Sequence, residues 1–219
     1  IDAAQRYLLS RQDDQGYWGA ELNGDATLES DAVMLMHFLG DVDKDRQRRL
    51  LNYVLSQQNP DGGWWIFRGG PSDINATVKA YFALRLAGFT ENDPRVRKAR
   101  HRILEFGGLE ACNSYTKFYL AIFGQYDWNR CPSVPPELVL FPRWVYFNLY
   151  ELSSWSRAIR VPLSIISARR PSCPVPESAR IAELAIEGYR PQHDSLWSTL
   201  FHEASHQFTS LMAPSGAVP

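Results

Sequence analysis

Two histidines with a glutamate between them, His202-Glu203-Ala204-Ser205-His206, form a string whose spacing alone spells a known chemistry. On a helix it sets two imidazoles on one face beside a carboxylate, the arrangement that holds zinc and activates its water. The extended pattern needs a third histidine six residues on, where Met212 stands, and 13 residues remain after His206. The polar face of a helix accounts for the pentapeptide with fewer requirements, so no metal site is expected and a zinc hydrolase is kept as an alternative. The basic run Arg95, Arg97, Lys98, Arg100, His101, Arg102 would suit phosphate, yet no aromatic is interleaved to stack on bases. It reads as the solvated side of a helix that turns Val96, Ile103 and Leu104 inward, with an anionic membrane surface as the functional alternative. His37 lies within an apolar run and has no patterned titratable neighbour, so it reads as a satisfied core histidine and not as a catalytic base. Asp13-Asp14 and Asp41-Val42-Asp43-Lys44-Asp45 read as turn and N-cap carboxylates.

Those residues need elements to hold them. The chain has 219 residues, 45% hydrophobic and 13% aromatic with seven Trp, enough to bury a core and too apolar for a disordered chain. A net charge of −1 supplies no long-range attraction to nucleic acid, which is not expected as a partner. Cys112, Cys131 and Cys173 are odd in number and form no Cys-x-x-Cys pair, which fits a reducing compartment. No run is long enough to cross a bilayer, and the sequence starts already patterned as a helix, as a piece of a longer protein would.

An internal repeat sets the architecture. Tyr7-Leu8-Leu9-Ser10-Arg11-Gln12 returns as Tyr53-Val54-Leu55-Ser56-Gln57-Gln58, and each leads into Gln-x-x-x-Gly-x-Trp: Gln12, Gly16, Trp18 and Gln58, Gly62, Trp64. A degraded third copy runs from Arg102 to Gly108. Between the copies lie apolar segments, Ala32 to Gly40, Ala80 to Gly88 and Thr116 to Gly124, each closed by the glycine that suits a left-handed helix end. The segments before the aromatic turns are amphipathic, with Leu50, Leu51, Val54 and Leu55 on one stripe. One helix type is expected to be buried all round and the other to have a wet face. Alternation at 36 to 48 residues is what an α/α toroid requires, so the expected fold is all-α, a partial toroid. Gln and Trp on either side of the turn are read as a structural clamp, the amide reaching free backbone groups and the indole donating its N–H.

The two Gln-x-x-x-Gly-x-Trp copies resemble the QW repeats of triterpene cyclases. The stretch from Val134-Pro135-Pro136-Glu137 through Asn148-Leu149-Tyr150-Glu151 to Ser154-Trp155-Ser156-Arg157 resembles squalene-hopene cyclase, and the similarity covers about residues 1 to 184. The resemblance implies two α/α barrels around an apolar cavity, monotopic attachment on the cytoplasmic side of a bacterial membrane, and cationic cyclisation of squalene or a similar linear triterpene to hopanoids without a cofactor. In these terms residues 1–22 would be the first helix and QW turn of one barrel, 23–190 a portion of the inserted barrel, and 191–219 an unmatched irregular tail. Trp155 matches a cavity-lining aromatic, Asp31 a carboxylate near the terminating end, and Leu152 the channel mouth. Other positions depart from the family, Arg160 among them: Lys79 stands where a second Glu is usual, Asn113 where an Arg is usual, and Tyr119, which the resemblance also places among the substrate-binding residues, where a Trp is usual. Arg160, inside an apolar run, must be paired or reach solvent.

The family's acid sits in an Asp-x-Asp-Asp motif that these 219 residues do not contain. The chain is therefore expected to be the N-terminal portion of such a cyclase, inactive without a C-terminal half, which becomes an expected partner. A homodimer is left open. A non-catalytic docking module is the reading from another class.

Overall fold

The computed structural model describes residues 1–19, 24–132, 134, 136–145 and 148–186. Seven α-helices carry them: α1 (Asp2–Ser10), α2 (Ala26–Leu39), α3 (Lys44–Ser56), α4 (Ile74–Leu86), α5 (Pro94–Glu105), α6 (Ser114–Ile122) and α7 (Ser154–Arg169). Six begin the same way. The side chains of Asp25, Asp43, Asp73, Asp93, Asn113 and Ser153 each accept from a backbone N–H of the first turn, satisfying donors the helix cannot use itself. Pro94 at the first helical position of α5 completes its start. The apolar helices α2, α4 and α6 are followed by Gly40, Gly88 and Gly124, all at positive φ.

The chain is mostly helical. A two-residue antiparallel ladder, β1 (Trp64–Trp65) with β2 (Ser72–Asp73), closes the segment between α3 and α4. Gly63 lies so close to Ser72 that a Cβ would stand 2.5 Å from its Cβ, which is why the ladder can form there.

α4 is the centre of the body. Val78, Ala80, Tyr81, Phe82, Ala83 and Leu84 are fully buried, because α2, α3, α5 and α6 all pack against it. Phe123, after α6, meets Phe82 of α4 and Phe38 of α2 edge to face, tying the three apolar helices together. The later chain closes over this core. Ile181 and Leu184 are fully buried, Tyr81 donates to Glu183 at 2.7 Å, and the Ile181 N–H donates to Gln125 at 3.0 Å.

Two expectations need correction. Among the apolar helices, α4 alone is buried nearly all round; α2 leaves Leu28, Leu35, Phe38 and Leu39 exposed, and α6 leaves Tyr115 and Tyr119 exposed. An apolar sequence marks a surface that avoids water, and it does not say whether the chain at hand covers that surface. His37 is satisfied, by Gln47 at 2.8 Å, but half-buried at the end of α2 and outside the core. Arg160 reaches solvent on α7.

Candidate functional site

Three side chains from the three apolar helices meet at one place. Lys79 of α4 donates to Asp31 Oδ2 of α2 at 2.9 Å, and its ammonium lies 4.6 Å from the ring centre of Tyr119 on α6. Local structure fixes the height. Each of the three stands six residues after the N-cap of its helix, Asp25, Asp73 and Asn113, so all lie about 9 Å up from the capped end. Asn75 Oδ1 accepts from the Asn113 N–H at 2.8 Å and from the Thr116 hydroxyl at 3.1 Å, which locks the starts of α4 and α6 in step.

The pair is partly withdrawn from water, with 14% of the Lys79 side chain and 27% of that of Asp31 exposed. Burial pushes the Asp31 carboxyl above the usual carboxylate range; Lys79 opposes this and Asp25 adds to it. Burial, and then the charge of Asp31, also raise the Tyr119 phenol. Asp31 Oδ1 has no hydrogen-bond donor among the described residues. A carboxylate shared with an ammonium and disfavoured by burial is a weak acid, not a proton source for an alkene.

The Gln and Trp residues of the two turns make the same pair of backbone bonds twice. Gln12 Nε2 donates to the Gly16 carbonyl at 2.7 Å and the Trp18 indole donates to the Leu8 carbonyl at 2.7 Å. Gln58 repeats the bond to Gly62 at 2.8 Å, Trp64 donates to Val54 at 2.6 Å, and Gln58 also reaches the Arg95 carbonyl at 3.0 Å. Gly16 and Gly62 share φ near 90°. The second corner is sealed against α5: a Cβ at Gly62 would stand 2.6 Å from the Lys98 backbone, and Arg102 pairs with Asp61 at 3.1 Å.

Leu152 and Trp155 lie at the start of α7. Leu152 is half-buried and Trp155 is 74% exposed; among the described residues neither shares a hydrogen bond or ring contact with Asp31, Lys79 or Tyr119. The His202 to His206 string lies outside the described residues. An open cleft of about 410 Å³ sits at the end of α6, lined by Phe123, Gln125, Ser172, Val175 and Arg180, away from the Asp31 cluster. The sequence reading singled out Asp31, Lys79 and Tyr119 separately and missed Asn75. The shared six-residue offset from a cap was the signal that could have joined them.

The model of the squalene-hopene cyclase N-terminal domain family matches residues 1–214. The chain belongs to that family. The match reaches past residue 184, where the resemblance read from the sequence ends. Among its relatives, a squalene-hopene cyclase of Alicyclobacillus acidocaldarius is 41% identical over 84% of this chain and 29% of that protein. One from Zymomonas mobilis is 34% identical over 92% of this chain and 31% of its own length. A dammaradiene synthase of Dryopteris crassirhizoma is 34% identical over 100% of this chain and 33% of its own. The chain thus spans about a third of the length of these relatives.

Proposed function

We propose that this chain forms the N-terminal part of a triterpene cyclase and supplies one wall of an apolar reaction chamber. The observation that carries the reading is the duplicated corner: the same amide and indole bonds, in the same register, at the ends of α1 and α3. In this reading the corners are QW repeats, α2, α4 and α6 are inner staves of a partial α/α toroid, and α3 and α5 are outer ones. Residues 1–22 belong to one barrel and 23–190 to the other. Tyr119 and Trp155 offer π-faces to migrating positive charge, Leu152 stands at the channel mouth, and Asp31 lies at the terminating end. The substrate is squalene or a similar linear triterpene, taken from the surface of a membrane.

The proton must come from elsewhere. No Asp-x-Asp-Asp occurs in the 219 residues, and Asp31 is already committed to Lys79. Incubated with squalene, the chain alone is expected to give no cyclic product. Mixed with the C-terminal portion of a squalene-hopene cyclase that bears the acid motif, it is expected to give cyclic C30 products by mass spectrometry. Cyclic product from the chain alone would overturn the inactivity. No product from the mixture favours a non-catalytic docking module, a reading that the Asp31–Lys79 pair supports.

A further inference from the structure

The turn 66–71 that leads into α4 shows water two large apolar side chains on a firmly held base. Ile66 and Phe67 follow β1 and are 55% and 65% exposed, while Trp65 and Ser72 of the ladder beneath them are buried. Asn59 Nδ2 donates to Ser72 Oγ at 2.9 Å, the Ser72 hydroxyl donates to Asp61 at 2.7 Å, and the Gly70 N–H donates to the Phe67 carbonyl at 2.9 Å. The Phe67 ring lies so close to Gly70 that a Cβ there would stand 2.7 Å from it, which limits how the ring can turn. Exposed apolar groups on a rigid base lose little freedom on binding, as an interface anchor requires.

The course of the chain points to the partner. The turn ends at Asp73, the cap of α4, and Asn75 ties that helix start to the start of α6. Lys79 meets Asp31 at equal height above the cap of α2, so the three caps share one rim. α1 precedes α2 and therefore joins the body at that same rim. α1 has no buried residue and leaves Tyr7, Leu8 and Leu9 exposed, so its apolar stripe has to be covered by another body. About two thirds of each relative's length lies outside the match.

We infer that Ile66 and Phe67 anchor this chain to the C-terminal part of a triterpene cyclase, seated in an apolar pocket of that part. The inference rests on the cyclase reading for the identity of the partner and adds a contact that holds the two parts together. A second copy or a lipid surface would take the same side chains wherever they stood on the molecule. The place of the turn, on the rim from which α1 departs, singles out the part to which that reading assigns α1.

Binding of the 219-residue chain to the C-terminal portion of a squalene-hopene cyclase, shown folded by circular dichroism, tests the anchor by titration calorimetry. Ile66→Ser and Phe67→Ser are each expected to weaken the complex about tenfold, and both together about a hundredfold. By itself the doubly substituted chain is expected to melt within about 2 °C of wild type, because neither side chain is covered before docking. Leu39→Ser removes a similarly exposed side chain at the opposite end of α2 and is expected to leave the affinity within about twofold. No complex with wild type, an affinity untouched by both turn substitutions, or an equal loss from Leu39→Ser would sink the anchor. So would a loss confined to self-association in sedimentation, or to flotation with phosphatidylglycerol vesicles, which would give the turn to a second copy or to lipid. Products from the two-fragment mixture judge the cyclase reading separately. A complex that depends on Phe67 and yields no cyclic product keeps the anchor and removes the chemistry; cyclic product with an affinity indifferent to the turn does the reverse.

Discussion

At the scale of single residues, the Asp31–Lys79 pair is the most informative feature because its charge state is set by opposing effects. Burial raises the Asp31 carboxyl and Lys79 lowers it. A raised acid binds its proton more tightly in the folded chain. Its contribution to stability is therefore present below the unfolded value, near about 4, and is lost as pH climbs through the folded value. Lys79→Met removes the lowering influence, moves the folded value further up and lets that loss grow. The variant is expected to be less stable than wild type by about 1–3 kcal/mol at pH 7, less than a fully buried pair would lose, with the deficit shrinking toward pH 4. Urea unfolding at the two pH values checks this, and an equal deficit at both would refute it. Thiols give a second residue-scale prediction. Burial pushes Cys112 up to about 12 and Cys131 to about 11, while Cys173 is only half-buried. In the native protein a thiol reagent at pH 8 is expected to label Cys173 first, and mass mapping showing Cys112 labelled as fast would contradict it.

Elements differ in how much each local bond is worth, even when the bonds are copies. Trp64 is 0% exposed and Trp18 is 53% exposed, although both indoles bond the carbonyl ten residues back. Trp64→Phe strips a buried hydrogen bond and leaves space, at a cost of about 2–4 kcal/mol; Trp18→Phe is expected to cost less than about 1 kcal/mol. Comparable losses from denaturant melts would mean that burial does not separate the corners. Glycines sort the same way. Gly62 has φ 92° and a Cβ there would stand 2.6 Å from the Lys98 backbone, whereas Gly40 has φ 69° and a Cβ there would meet nothing within 4 Å. Gly62→Ala is expected to cost more than about 2 kcal/mol, and Gly40→Ala about 1 kcal/mol, the ordinary strain of a left-handed residue.

For the molecule as a whole, the core is anchored by its late chain more than by its first helix. α1 has no buried residue, while Leu184 is fully buried against α5 and the turn at Gly108. Leu184→Ala is expected to cost about 2–5 kcal/mol. Deleting residues 2–18 is expected to shift stability by less than about 1 kcal/mol, since it uncovers no core. Thermal melts that reverse this order would place the folding unit elsewhere. The described helices include none long and apolar enough to cross a membrane. What they expose is the flank of α2 and α6, a surface on which water, lipid, ligand or protein would each settle differently.

The helix starts were written in the sequence, because a cap needs only its own first turn: Asp93-Pro94 and the glycine after Leu39 act within a few residues of themselves. The inward stripe of α5, Val96 and Ile103, was legible from spacing for the same reason. Tertiary structure alone decided that Lys79 would choose Asp31, 48 residues away, and that Tyr119 would lie beside them. It also decided that α4 is enclosed while α2, equally apolar in sequence, faces outward. Burial and charge pairing are properties of neighbours, and neighbours distant along the chain are chosen by how helices pack, which no single segment encodes.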